Sequence, residues 1–318
     1  MENTIRIGLS SCLLGNLVRY DGCHQYDPFL SETMGRFVEF VPVCPEAECG
    51  LGVPRETMRL VGGSLPPRLV TTENGLDHTE RMCLWARQRI NKLRDEGLQG
   101  FIFKSKSPSC GIERVKIYPP DGGLPKRVGV GLFAKAFGDA FPLLPVEDEA
   151  RLHDLGRRDN FIERIFVCRR WQAAKNGPLS VSALISFHSK HKLQIMAHSA
   201  VRYRIMGRLV AQSSGDLPIE TVFDNYESLL MAALRLLPTP KKHSNVLLHI
   251  LGYFKKQLPF AEKQELLTII DLCRLGKLPL IVPITLLLHC ARKYQHDYLA
   301  EQTYLSPHPV ELALRNHA

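Results

Sequence analysis

Residues 5–12, IRIGLSSC, place an aliphatic run directly before two serines and a cysteine. Ile5 to Leu9 reads as a strand that ends at Ser10-Ser11-Cys12. The arrangement recurs twice. FVEFVPV (37–43) predicts a second strand, which ends at Cys44, and Gly100 to Phe103 predicts a third, followed by the loop SKSPSCG (105–111) with Cys110. Asp77 is placed to cap a long helix running to about Asp95, with Met82, Trp85, Ala86, Ile90 and Leu93 at helical spacing and Gly97 closing it. Val115 to Tyr118 and Gly129 to Leu132 predict further short strands, Phe133 to Phe141 a short helix, and Leu143 to Val146 a last strand or the start of a linker. Strands alternating with helices imply an α/β domain with a mostly parallel sheet.

From about Glu147 the period changes. Helices are expected near 149–174, 180–198, 200–213, 218–236, 243–257, 261–275 and 283–296, with turns at Asn176-Gly177-Pro178, Ser213-Ser214-Gly215-Asp216, Pro238-Thr239-Pro240 and Leu275-Gly276-Lys277. The expected organisation is therefore an α/β domain over 1–147 and an all-α domain over 148–318. The 318 residues suit two domains, and a composition 45% hydrophobic and 23% charged is that of globular proteins. No apolar run reaches the roughly 18 residues of a membrane helix. Nine cysteines are too few for a disulfide scaffold, and the odd count with no signal peptide before Ile5 points to a reducing compartment. The expectation is a soluble cytoplasmic protein.

Charge is split. Residues 1–150 hold 18 Lys and Arg against 19 Asp and Glu, whereas residues 151–318 hold 23 against 13 and ten of the twelve histidines. A basic half suits a polyanion such as nucleic acid, or simply a solubilising surface. Its candidates for phosphate contact are Lys190, Lys192, Arg202, Lys241, Lys242, Lys255 and Lys256, with His191, Arg204 and His243 beside them and Tyr203 and Tyr253 as stacking aromatics. His188, His191 and His198 share a helical face, but no carboxylate joins them in that segment, so they are read as structural.

In a parallel sheet the carboxyl ends of the strands share one edge, where open α/β folds bind ligands. Cys12, Cys44 and Cys110 therefore can converge there. No C-x₂-C pair exists, which argues against a zinc site; three remote thiolates suit an iron–sulfur cluster lacking its fourth protein ligand, or are unrelated buried thiols. Cys23 and Cys49 are nearby thiols of open duty, while Cys83, Cys168, Cys273 and Cys290 are read as core. No G-x-G-x-x-G or Walker loop appears, so neither a nicotinamide nor a flavin cofactor is expected.

The stretches SSCLLGNLVRYDG (10–22), PVCPE (42–46) and KSKSPSCG (104–111) resemble, in order, the motifs of the thiouracil desulfidase family. FHSKHKLQIMAHS (187–199), KKHSNVLLHILGYFKK (241–256) and VPITLLLHCARKY (282–294) resemble a helical family often fused to it. The fused arrangement is similar to the tRNA 4-thiouridine desulfidases. The resemblance implies a 4Fe–4S cluster held by Cys12, Cys44 and Cys110, whose fourth iron takes the thiocarbonyl sulfur while water attacks the ring carbon without redox change. It implies Glu46 as catalytic carboxylate, otherwise readable as a helix-cap residue, and Ser107 as catalytic serine. Desolvation beside an anionic cluster favours Glu46 as proton acceptor. Arg19-Tyr20-Asp21 is expected at the pocket mouth. Family members show glycine where this chain has Cys23 and Cys49, which argues against either as an obligate ligand. The implied partner is tRNA bearing 4-thiouridine. Two other readings remain open: a desulfidase for free thiouracil or a thiouridine nucleotide, and a thiol- or metal-based regulator that binds nucleic acid.

Overall fold

The computed structural model describes residues 4–62, 66–215 and 217–309. Asp216 of the expected turn lies outside them. The chain forms two compact units that divide between Asp154 and Leu155.

In the first unit, β1 (Ile5–Ser10) pairs in parallel with β2 (Val38–Val43) on one side and with β5 (Gly100–Phe103) on the other. The last strand, β8 (Val146–Asp148), pairs in parallel with β5, so the order is β2-β1-β5-β8. Because β8 uses Val146 to Asp148, the expected boundary at 147/148 falls inside a paired strand, and the first helix of the second unit starts at Leu155 rather than 149. A second sheet was not anticipated. It comprises β3 (Met58–Val61), β4 (Arg68–Thr71), β6 (Val115–Tyr118) and β7 (Lys126–Gly129) in the order β4-β3-β6-β7. Its β3–β4 and β6–β7 pairs are antiparallel and only β3–β6 is parallel. The strand expected at Val115 to Tyr118 is β6, whereas the one expected at Gly129 to Leu132 is β7, three residues earlier, because Leu132 already opens the helix that follows; β3 and β4, with four residues each, are too short to show a period against their arginines.

Helix α1 (Thr79–Asp95) buries Met82, Ala86, Ile90 and Leu93, as its spacing predicted, and packs beside α2 (Leu132–Ala140). Asp77 accepts the Thr79 N–H at 2.9 Å, and Gly97 (φ +61) ends the chain's run after α1. Under these helices Phe101, Phe103, Phe133 and Phe137 interlock, with centroids 4.1–6.1 Å apart. The Phe101 ring fills the space over Gly8, where a Cβ would sit 2.1 Å from it.

The amino end of α2 fastens the Cys110 loop. The Gly131 N–H donates to the Gly111 carbonyl, Leu132 to Pro108, and both Phe133 and Ala134 to Ser109, at 2.7–3.1 Å. These are the donors a helix start leaves without intrahelical partners. Gly131 permits the approach: its Cβ would lie 2.5 Å from the Ser109 carbonyl carbon.

The second unit is helical: α3 (Leu155–Lys175), α4 (Val181–His198), α5 (Ala200–Ala211), α6 (Ile219–Leu234), α7 (Pro240–Tyr253), α8 (Phe260–Arg274), α9 (Ile281–Lys293) and the one-turn α10 (Asp297–Ala300). Ser180, Ser199 and Thr239 cap α4, α5 and α7 through their hydroxyls. Pro240 occupies the first turn of α7, so that helix begins three residues before the expected 243. Trp171 stacks on Phe223 and Tyr226 and meets Phe187 edge-on. Leu193, Val246, Leu247, Ile250, Phe254, Ile284 and Leu287 form the larger core. Among the described residues no helix is long and apolar enough to cross a membrane.

The α4 histidines are structural, as the sequence suggested. His188 Nδ1 lies 3.0 Å from the Tyr226 hydroxyl, His191 Nδ1 lies 2.8 Å from the Phe187 carbonyl, and His198 sits between the Leu236 carbonyl and Glu163. Burial lowers the pKa of His188 to about 4 and, with Arg170 adding to it, that of His191 to about 3.

Two outcomes follow. Gly131→Ala should cost about 2 kcal/mol in urea unfolding, whereas Gly138→Ala in the same helix, whose Cβ meets nothing within 4 Å, should be neutral or stabilising by up to about 1 kcal/mol. Equal effects would remove the close approach at Gly131. The two depressed histidines bind protons more readily when unfolded, so stability is full above about pH 6.5 and lost as pH falls toward 4. The His188→Gln/His191→Gln variant should melt with a shallower pH dependence over that window; an unchanged slope would contradict the assignment.

Candidate active site in the N-terminal unit

At the carboxyl edge of the parallel sheet is a cavity of about 370 Å³. Cys12, Cys44 and Cys110 all line it, carried by the turns that follow β1, β2 and β5. Glu46, Ser107 and Ser109 line it too, with Arg19, Arg55 and Lys104. Every residue expected at the reaction centre is therefore on one wall system, although the chain separates Cys12 from Cys110 by nearly a hundred residues.

Glu46 is held from both sides. Its Oε2 takes the Arg55 guanidinium at 2.5 Å (Nη2) and 3.1 Å (Nε), and its Oε1 accepts the Ser109 hydroxyl at 2.6 Å and the Ser107 hydroxyl at 3.5 Å. Arg55 also donates to the carbonyls of Val18 (3.0 Å) and Gly52 (2.9 Å), which leaves its fork little freedom. Glu46 was read as a desolvated carboxylate beside the cluster; in the structure it is a charge-paired one. Ser107 faces inward differently from Ser109: its Oγ accepts the N–H groups of Ser109 (3.2 Å) and Cys110 (3.1 Å), fixing the loop, and lies 2.9 Å from Ser109 Oγ. Ser109 thus makes the shorter of the two hydroxyl hydrogen bonds to Glu46.

A second clamp crosses from β8. Glu149 accepts the Ser105 N–H and hydroxyl, both at 2.7 Å, and pairs with Lys104 Nζ, while Ser10 Oγ accepts the Lys104 N–H at 2.8 Å. The loop that carries Cys110 is therefore tied to the strand before Cys12 and to the strand end beyond it. At the mouth, Arg19 pairs with Asp21 at 3.5 Å, its guanidinium 5.4 Å from the Tyr20 ring centroid.

The thiols are buried or half-buried. Burial, with Cys44 adding to it, raises the pKa of Cys12 to about 11 against the opposing charges of Lys104 and Arg19. Burial likewise raises Cys44, and it raises Cys110 further, with Glu46 adding to it. As free groups they stay protonated near neutral pH and make poor nucleophiles. They become thiolates when a metal centre withdraws their charge. Among the described residues no three His, Cys, Asp or Glu are grouped to hold a single metal ion. Cys12, Cys44 and Cys110 are soft sulfur donors on one cavity, the residues that would hold an iron–sulfur cluster if one binds there.

Cys23 is exposed, and Cys49 is buried with its Sγ 3.4 Å from the Glu46 carbonyl oxygen, packed on Leu60, Leu69 and Met82. Neither lines the cavity. Cys168, Cys273 and Cys290 are buried and Cys83 is half-buried, in keeping with packing roles.

In the helical unit the proposed phosphate contacts differ among themselves. Lys241, Lys255 and Lys256 are exposed. Arg202 is half-buried, Lys190 pairs with Glu301 at 3.3 Å, and Lys192 lies 4.8 Å from the Tyr298 ring centroid. Lys242 is occupied: its ammonium donates to the carbonyls of His198 (2.8 Å) and Leu237 (3.3 Å), closing the ends of α4 and α6.

Comparison with known proteins now bears on these units. The 2-thiouracil desulfurase family matches residues 7–149, and a family described as protein of unknown function (DUF1722) matches residues 192–309. The two matches fall one in each half of the chain. The YbgA protein of Escherichia coli (strain K12) is 31% identical over 158 residues, half of this chain and 94% of that protein. The solved structure of the 4Fe–4S-dependent thiouracil desulfidase TudS is 28% identical, with a TM-score of 0.38, over 49% of this chain and 97% of that one. The 2-thiouracil desulfurase match marks the first unit as an enzyme domain of the desulfidase type.

Arg55, Ser109, Lys104 and Glu149 were not singled out from sequence. Ser109 stands beside Cys110 in a quoted motif, whereas Arg55 lies nine residues past Glu46 in a Gly-Val-Pro turn that carries no pattern of its own. Arg55→Ala would leave a half-buried carboxylate without its charged partner, so it should destabilise the chain by about 2 kcal/mol in urea unfolding, with Arg55→Lys recovering only part. A loss below about 1 kcal/mol would show that the pair is solvated.

Proposed function

We propose that the chain removes sulfur from 4-thiouridine in tRNA, giving uridine and sulfide, with a 4Fe–4S cluster held by Cys12, Cys44 and Cys110. The observation that carries this is the placement of three strand-end cysteines and Glu46 on one cavity within a 2-thiouracil desulfurase domain. Bound there, the cluster supplies a Lewis-acidic iron for the soft thiocarbonyl sulfur. Water replaces sulfur at the ring carbon, whose oxidation state does not change.

The chain's own groups supply proton handling. Glu46 Oε1 accepts the proton of the attacking water, and Arg55 keeps the carboxylate aimed. The proton passes from Glu46 to the departing sulfide, while the Ser109 hydroxyl, 2.6 Å from Oε1, holds the carboxylate in place. Arg19 and Lys104 face the Cys12 side, where they offset the negative charge of a thiolate-held cluster. The exposed cations Lys241, Lys255 and Lys256 of the helical unit supply tRNA phosphate contacts, with Arg202, Lys190 and Lys192 as weaker ones and Lys242 serving structure.

A second reading, desulfidation of a free thiolated base, is favoured by a cavity whose volume is that of a small-molecule site. Anaerobic sulfide release from thiolated tRNA and from free 4-thiouracil separates the two. The tRNA reading expects kcat/KM to be at least about tenfold higher for tRNA. Glu46→Gln should retain the iron content and lose about 10²–10⁴-fold in turnover. Turnover of Glu46→Gln within twofold of wild type would remove Glu46 from the chemistry.

A further inference from the structure

A second and larger cleft, about 860 Å³, opens beside the cavity within the N-terminal unit and shares Ser105, Lys106 and Pro108 with it. The mixed sheet supplies its basic wall: Arg59 of β3, Lys116 of β6, Arg127 of β7, and Arg114 just before β6. Its acidic members are already engaged. Glu113 pairs with Arg151 at 2.8 Å, Arg151 also pairs with Glu147 at 2.7 Å, and Asp148 accepts the Arg151 N–H at 2.9 Å. Arg59, Lys106, Arg114, Lys116 and Arg127 have no ion pair among the described residues. The Arg59 guanidinium lies 5.2 Å from the Tyr118 ring centroid, and its Nε is buried without a hydrogen-bond partner.

Backbone conformation gives a second, independent sign. Among the described residues three non-glycine residues have positive φ, and two of them line this cleft: Lys106 (φ +61) and Arg114 (φ +55). Glycine adopts that conformation freely, whereas a residue with a Cβ is strained in it. Long cationic side chains are thus held where glycine would be favoured, a pattern that belongs to functional sites.

We infer that this cleft binds the phosphodiester backbone of the RNA strand whose thiolated base enters the cavity. The partner's identity rests on the proposed desulfidase function; the binding of a polyanion does not. Five unpaired cations spread across three strands and their turns match a run of phosphates rather than one, and the Arg59–Tyr118 pair offers a face on which a flanking base can stack. The near-neutral charge of residues 1–150 conceals this, because the acidic residues lie elsewhere or are paired.

The test uses the full chain and fluorescence anisotropy of a labelled, unmodified tRNA transcript, a readout that needs neither cluster nor turnover. Arg114→Gly relieves the backbone, so its melting temperature should not fall below wild type, yet it should weaken RNA binding several-fold. Combined with Lys116→Ala and Arg127→Ala, the loss should reach at least about tenfold, and the slope of log Kd against log salt should fall by about 2. Affinity within twofold of wild type in the triple variant overturns the assignment. So does equal displacement of the RNA by micromolar uridine monophosphate, which would mark a single-phosphate site. If wild type releases no sulfide from thiolated tRNA while the triple variant still loses RNA affinity, the desulfidase reading falls and the cleft stands. Sulfide release by wild type with unchanged affinity in the variant leaves the desulfidase and removes the cleft.

Discussion

Parallel pairing of β1 with β2 and β5 is the constraint from which the site follows. Register places Ser10 opposite Val43 and Leu9 opposite Ile102, so the chain leaves all three strands at the same edge. Antiparallel pairing would send one of the three cysteine turns to the opposite end of the sheet. Helix α1 makes the crossover into β5, and the phenylalanine cluster beneath it anchors the central strands. Gly8 is part of this constraint, because only a bare Cα admits the Phe101 ring at the β1–β5 contact.

What the sheet places, a set of polar clamps then fixes. The amino end of α2 grips the Cys110 loop by four backbone hydrogen bonds, and Ser107 turns its hydroxyl into that loop. Glu149 binds Ser105 and Lys104 from the next strand end. Arg55 holds Glu46 while reaching the Val18 and Gly52 carbonyls. Carboxylates largely shielded from water are costly unless paired, and both pairs here use their charge to aim a loop. Rigid loops hold the Glu46 carboxylate and the three thiols in fixed positions around one cavity.

Much of this was legible in the chain. The strand–cysteine junctions at Cys12, Cys44 and Cys110, the α1 face of Met82, Ala86, Ile90 and Leu93, and the helical second half all follow from periodicity and punctuation. The second sheet was not legible, since β3 and β4 are four-residue strands whose arginines break any alternation. The partners of Glu46 were not legible either: Arg55 reaches it across a turn, and Ser109 rather than Ser107 makes the short hydrogen bond because Ser107 spends its lone pairs on backbone N–H groups. Net charge does not reveal the cationic cleft of the first unit, because it counts paired and unpaired side chains alike. Lys242 shows the converse, a lysine in a basic run whose ammonium is spent on helix ends.

The central claim is that three cysteines from three strand ends jointly hold one iron–sulfur cluster. Anaerobic reconstitution followed by iron and acid-labile sulfide analysis tests it most directly, on wild type and on Cys12→Ala, Cys44→Ala, Cys110→Ala and Cys49→Ala, each checked for a native melting transition. The account expects about four irons per chain in wild type and in Cys49→Ala, and well under one in each of the other three. Full iron in a folded Cys12, Cys44 or Cys110 variant, or none in wild type, would contradict it.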